Sequence, residues 1–176
     1  VIRVDDGSTD ETPEIAARHS WARTIRQENK GLSFARNVGA HASTGEVIVY
    51  TDSDCMADPD WLYYLIGTLL SGNFAGVGGP NISPPAENWV QACVSAAPGG
   101  PSHVLLTDVV AEHIPGCNMA FHRWAFDQVG GFDHEYRKAG DDVAWLWSSA
   151  GKGAFTIEEA ARPQQGTTIT VHLSKD

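Results

Sequence analysis

Basic residues are scarce in this sequence. Twelve Lys and Arg stand against 22 Asp and Glu, a formal net charge of -10. So acidic a chain lacks the basic face that a nucleic-acid backbone requires, which argues against general nucleic-acid binding. Cysteine is scarce as well. Cys55, Cys93 and Cys117 are too widely spaced for a disulfide framework or a zinc ribbon. No apolar run approaches the ~18 residues of a membrane span. What is present is enough for one folded domain: hydrophobic residues make up 42% and aromatics 9% of 176 residues.

Strand and helix patterns alternate along the first half. Val1-Ile2-Arg3-Val4 has strand character with no turn before it, which gives the expectation of a domain incomplete at its N-terminus. Thr12-Pro13-Glu14 predicts a helix start, with proline at the first helical position. Trp21 to Arg26 predicts a short strand. Leu32, Ala35, Val38 and Gly39 recur at helical spacing through Ala42. The near-continuous apolar run from Glu46 to Thr51 suits a parallel strand buried on both faces. Asp58-Pro59-Asp60 opens a helix whose expected buried set is Trp61, Leu62, Leu65, Ile66 and Leu69.

Further on, the pattern predicts a strand over Phe74 to Gly78 and a short helix around Trp89 to Ala96 within a Gly/Pro-rich region. It also predicts strands over Val104 to Val110 and towards Phe121, and a helix from Trp124 to Val129 closed by Gly130-Gly131. A helix over Asp141 to Ser149 and a strand over Ala154 to Ile157 complete the pattern. The alternation predicts an α/β domain with a mixed, mainly parallel sheet flanked by helices. Its expected extent is residues 1–161, with 162–176 as a C-terminal tail or extra strand.

Two acidic clusters fall at predicted strand ends, where open α/β sheets hold ligands. Asp5-Asp6 follows the first strand, and Asp52-Ser53-Asp54 follows the strand ending at Thr51. An Asx turn or a helix cap explains either cluster alone. Together they form a candidate oxygen-ligand site for Mg2+ or Mn2+, a cation that would neutralise a diphosphate and steady a leaving group. A third pair, Asp141-Asp142, begins a predicted helix. It is either an N-terminal dipole partner or a general base that accepts a hydroxyl proton.

The motifs, taken in order, resemble a known family. They are Val4-Asp5-Asp6-Gly7-Ser8-Thr9-Asp10, Asn29-x-Gly31-Leu32-Ser33-x-Ala35-Arg36-Asn37-x-Gly39, Gly45 to Asp54, Pro115 to Phe121, Gly130 to Asp133, and Gly140-Asp141-Asp142. The set resembles the inverting glycosyltransferases of family 2, with the GT-A fold.

The resemblance implies that Asp6, with Asp5 close behind, contacts the nucleoside of a nucleotide sugar, and that Arg36 lies near the nucleotide. It implies that Asp54 coordinates Mn2+ or Mg2+, with Asp52 at the metal and the ribose or sugar. Asn118 would face the donor sugar. Asp142 would be the catalytic base, with Asp141 in place of the more usual glutamate. The implied reaction is metal-dependent, inverting sugar transfer from a UDP- or GDP-sugar to a carbohydrate or lipid-linked acceptor in glycan or cell-surface polysaccharide biosynthesis. The implied location is the cytoplasm or the cytoplasmic face of a membrane, with membrane association of a longer parent left open.

Relatives open with a further strand and helix, and carry a later histidine where this chain has Arg162-Pro163-Gln164-Gln165. That departure keeps open a truncated, non-catalytic nucleotide-binding domain. The paired aspartates keep open a nucleotidyltransferase, for which Lys30 and Arg36 would be the basic residues. Among the aromatics, Trp89 is the candidate for sugar contact, against local burial in its Gly/Pro-rich surroundings. Gly76, Gly78 and Gly79 do not open a strand-to-helix turn as a dinucleotide loop would. Cys93 and Cys117, with His103, His113 and His122, lack regular zinc spacing.

Overall fold

The computed structural model describes residues 1–79, 81–97, 114–136, 157–159 and 169–171. The elements are β1 (Ile2–Asp5), α1 (Thr12–Ala17), β2 (Arg23–Arg26), α2 (Leu32–Ala42), β3 (Val47–Tyr50) and α3 (Trp61–Leu70). They continue as β4 (Gly76–Gly78), α4 (Trp89–Ser95), β5 (Met119–His122), α5 (Arg123–Val129), β6 (Ile157–Glu159) and β7 (Ile169–Val171). The expected elements over Val104 to Val110 and Asp141 to Ser149 lie outside the described residues. Among the described residues no helix is long and apolar enough to cross a membrane.

The fold is mixed α/β, as the alternation predicts. β1 and β2 pair in parallel, Val4 opposite Ile25. The other strands form a five-stranded sheet in the order β3-β5-β4-β7-β6. Its pairings are antiparallel throughout. Among the described residues the pairing is therefore mixed, one parallel and four antiparallel. β3, expected to be parallel, lies antiparallel to β5 with Ile48 opposite Phe121. An apolar run signals burial on both faces and carries no information on the direction of the neighbour.

β5 is the spine of the core because its residues alternate between two apolar layers. Met119 and Phe121 join Ala40, Ile48, Ile114, Phe126 and Phe132 on one side. Ala120 faces Leu65, Leu69 and Val77 on the other, with Trp61 and Phe74 at the margin. Of the expected α3 set, Leu65 and Leu69 are buried and Leu62 is exposed. The glycines of β4 make room for this core. A Cβ at Gly76 would stand 2.4 Å from Phe121 Cδ1, and one at Gly78 2.0 Å from Ile114 Cγ2.

α2 buries a face that apolar spacing does not mark. Ser33, Asn37 and Ala40 are its buried residues, whereas Leu32, Ala35, Val38 and Gly39 are half-buried. The polar members have backbone partners. Asn37 Nδ2 donates to the Phe132 carbonyl at 2.7 Å, and Phe132 N–H donates to Asn37 Oδ1 at 2.8 Å. Ser33 Oγ donates to the Tyr136 carbonyl. The hook closes over Gly130 and Gly131, whose φ values of 93° and 85° favour glycine. A Cβ at Gly131 would also press on Asn37 Oδ1 at 2.6 Å.

Removing this hook should be costly. Asn37→Ala deletes two hydrogen bonds and strands a buried backbone N–H and C=O, so urea denaturation should show a loss of about 2–4 kcal/mol. A loss under about 0.5 kcal/mol would mean that the loop is held by its apolar contacts alone.

Candidate functional site

The first acidic loop is braced by the strand and loop beside it. Asp6 Oδ1 accepts from Gln27 Nε2 at 2.7 Å and from the Lys30 N–H at 2.9 Å, and Oδ2 accepts from the Gly31 N–H at 2.8 Å. Asp5 is buried, and its Oδ1 accepts from the Ser8 N–H at 2.8 Å. Asp5 Oδ2 is buried without a hydrogen bond, and Arg26 Nε stands 3.6 Å away in ion-pair range. The Ser8 side chain, then the Ser8 N–H and more weakly Arg26, hold the Asp5 carboxyl below its usual value against desolvation and Asp10.

The second acidic cluster sits where β3 runs out. Asp52 and Asp54 are exposed, and the Cys55 N–H donates to the Asp52 carbonyl at 3.2 Å, closing a turn. Arg36 Nη2 lies 3.9 Å from Asp52 Oδ1, with the Arg36 side chain only 10% exposed. The guanidinium is seated over the Phe132 ring at 5.6 Å. Gly116 leaves space for it, since a Cβ there would stand 2.1 Å from Arg36 Nη2. One helix residue thus links the acidic strand end to the segment before β5.

Beside this junction opens a cleft of about 600 Å³, lined by Thr51, Cys55, Trp61, Tyr64, Cys117 and Asn118 among others. Asn118 is held from two sides. Trp61 Nε1 donates to its Oδ1 at 2.8 Å, and the Gly79 N–H donates to its carbonyl at 3.1 Å. Burial first, then the charges of Cys55 and Asp52, push the Cys117 thiol up to about 11.

The structure thus brings Arg36 and Asp52 together and places Asn118 on the adjoining cleft. Trp89 is 77% exposed on α4 and does not line that cleft. Asp141 and Asp142 lie outside the described residues. Among the described residues, no three His, Cys, Asp or Glu side chains converge as a metal cluster. Two further features escaped the sequence reading. Trp61, expected in the core, orients Asn118, and its place just after the acidic Asp58-Pro59-Asp60 was the available signal. Cys55 and Cys117 share one cleft, which their distance in sequence hides.

One family model covers most of the chain. The model described as Glycosyl transferase family 2 matches residues 1–130. A glucosyl-dolichyl phosphate glucuronosyltransferase of Haloferax volcanii is 31% identical over 125 residues, covering 65% of this chain and 38% of that protein. Among solved structures, the mannosyltransferase PcManGT from Pyrobaculum calidifontis, in complex with GDP-Man and Mn2+, superposes with a TM-score of 0.60 at 23% identity. That match covers 83% of this chain and 41% of the mannosyltransferase. This chain therefore spans less than half of these two relatives. A second likeness is short: the chaperone protein HtpG of Roseobacter denitrificans is 65% identical over 40 residues, 23% of this chain and 6% of the chaperone.

The Asp5 environment predicts an acid-side loss of stability. Its folded pKa is depressed, so its contribution is complete above the unfolded value of 3.8 and is lost as pH falls through the lower folded value. Stability measured by urea midpoint from pH 5 downward should fall more steeply in the wild type than in Asp5→Asn. Parallel pH profiles for the two proteins would contradict this.

Proposed function

The chain belongs to glycosyl transferase family 2, and from that premise we propose that it serves metal-dependent, inverting transfer of a sugar from a nucleotide sugar to an acceptor hydroxyl. The observation that carries this reading is the junction of β3 with β5. Asp52 and Asp54 lie on the turn between Thr51 and Cys55, two residues that line the cleft, with Arg36 beside Asp52 and Asn118 on the cleft wall. A nucleotide sugar needs such a combination: carboxylates to recruit a cation, and polar groups in a cleft to orient the sugar.

Asp54 and Asp52 would hold the metal. Both are exposed carboxylates on one turn, and hard oxygen donors suit Mn2+ or Mg2+. When bound, such a cation supplies charge neutralisation for a diphosphate. The donor is a UDP- or GDP-sugar, GDP-Man being the ligand of the mannosyltransferase relative. The Asp5-Asp6 loop would meet the nucleoside. Asp6 fixes the loop's shape through Gln27, Lys30 and Gly31, and Asp5 Oδ2 is an acceptor with no protein hydrogen bond. Arg36 holds Asp52 in place from below. Asn118, kept in orientation by Trp61, would contact the donor sugar.

Asp142, with Asp141 beside it, would take the proton from an acceptor hydroxyl as that oxygen attacks the anomeric carbon from the face opposite the diphosphate. Attack from that face inverts the configuration. The acceptor is a carbohydrate or lipid-linked glycan, and the reaction belongs to glycan or cell-surface polysaccharide assembly. Its place would be the cytoplasm or the cytoplasmic face of a membrane. Trp89, exposed on α4, would serve as an acceptor-side sugar platform. The nucleotidyltransferase alternative is disfavoured by its basic residues: Lys30 Nζ lies 4.6 Å from the Phe34 ring centroid, and Arg36 pairs with Asp52.

Two substitutions divide the roles. Asp54→Ala should weaken Mn2+-dependent UDP or GDP binding at least about tenfold by calorimetry, with the metal-independent part unchanged. Asp142→Asn should cut transfer about 10²- to 10⁴-fold while nucleotide affinity holds. Metal-dependent binding that survives Asp54→Ala, or full turnover in Asp142→Asn, would overturn the corresponding role.

A further inference from the structure

Cys55 and Cys117 take no part in the donor chemistry proposed above, yet the fold brings them together. Both line the cleft, both are half-buried, and neither is in a disulfide. They arrive from facing strand ends. Tyr50 pairs with Met119, so the chain leaving β3 and the chain entering β5 meet at one end of the sheet, where the Asn118 N–H closes a turn on the Pro115 carbonyl at 3.0 Å. The turn closed by the Cys55 N–H on the Asp52 carbonyl, at 3.2 Å, brings Cys55 into the lining of the cleft that Cys117 also lines. Cys55 is among the groups that push the Cys117 thiol up, and Cys55 Sγ itself stands 4.0 Å from Asp54 Oδ1. Cys93 stands apart, exposed on α4.

We propose that Cys55 and Cys117 form a redox modification site, a dithiol that a small disulfide such as oxidised glutathione converts to an intramolecular disulfide across the cleft. The Cys55 sulfur, giving up its proton, attacks one sulfur of oxidised glutathione. The glutathione S–S bond breaks, a Cys55–glutathione bond forms, and the first glutathione leaves with a proton. The Cys117 sulfur then attacks Cys55 Sγ, the mixed S–S bond breaks, and the second glutathione leaves with the Cys117 proton. Two protein thiols are oxidised and one glutathione disulfide is reduced to two thiols. The new bond ties the Asp52–Cys55 turn to the segment before β5. Its consequence for nucleotide binding rests on the donor-site reading, whereas its formation does not.

The test incubates the folded protein with oxidised glutathione and maps peptides by mass spectrometry without reduction. The expected result is a Cys55–Cys117 linked peptide lighter by two hydrogens, with a stable glutathione adduct on Cys93. Cys93→Ser should keep the link, and Cys55→Ser or Cys117→Ser should abolish it. Separate glutathione adducts on Cys55 and Cys117, or free thiols at both while Cys93 is fully modified, would overturn the proposal. In the linked protein, Mn2+-dependent UDP or GDP binding should fall at least fivefold and recover with dithiothreitol. A link that forms without changing binding would leave the thiol site standing and count against the placement of the donor.

Discussion

The antiparallel pairing of β3 with β5 is the constraint on which the site depends. Its register sets Tyr50 opposite Met119, so β3 ends where β5 begins. The chain leaving β3 carries Asp52 and Asp54, and the chain entering β5 carries Gly116, Cys117 and Asn118. A parallel partner would bring another strand's carboxyl end to this place instead of the chain entering β5. A slip of one residue would also turn Met119 and Phe121 out of their apolar layer and Ala120 into it, at the cost of most of the core. Core formation and site assembly are therefore one event.

Polar side chains secure the edges of this pairing. Arg123, the first residue of α5, donates through Nε to the Gly45 carbonyl at 2.6 Å, and through Nη2 to Ser43 Oγ at 2.6 Å. Its own N–H donates to the Glu46 carbonyl at 2.8 Å. One arginine thus ties the end of α2 and the start of β3 to the end of β5. Asn37 does the equivalent work at the other side of α2, where it grips the backbone of Phe132. Phe132 in turn stands edge-on to Tyr50 at 5.5 Å and beneath Arg36. Through that chain of contacts the hook on Asn37 reaches the guanidinium beside Asp52.

Local signals in the sequence located the elements well and their partners poorly. Pro13 marked α1, Gly130-Gly131 marked the end of α5, and the apolar run marked β3, because each is a property of consecutive residues. The direction of the β3 neighbour was not legible, since burial on both faces looks the same for either direction. The burial of Ser33 and Asn37 has no apolar signal in the sequence, and their partners, Tyr136 and Phe132, lie far along the chain. In the site, the order of motifs pointed to Asp52, Arg36 and Asn118, which the fold brings to one region. The Trp61 contact to Asn118 and the meeting of Cys55 with Cys117 depend on tertiary placement and left no local pattern. Asp141 and Asp142 lie beyond both the family match to residues 1–130 and the described residues.

Hydrogen–deuterium exchange in the presence of Mn2+ with UDP or GDP examines the β3–β5 junction directly. If the junction is the donor site, amides of the Asp5–Ser8 loop, the Thr51–Cys55 turn and the Gly116–Asn118 segment gain protection together, and Mn2+ alone gives less. Protection that falls elsewhere, or none with either nucleotide, would contradict the placement of the donor at this junction.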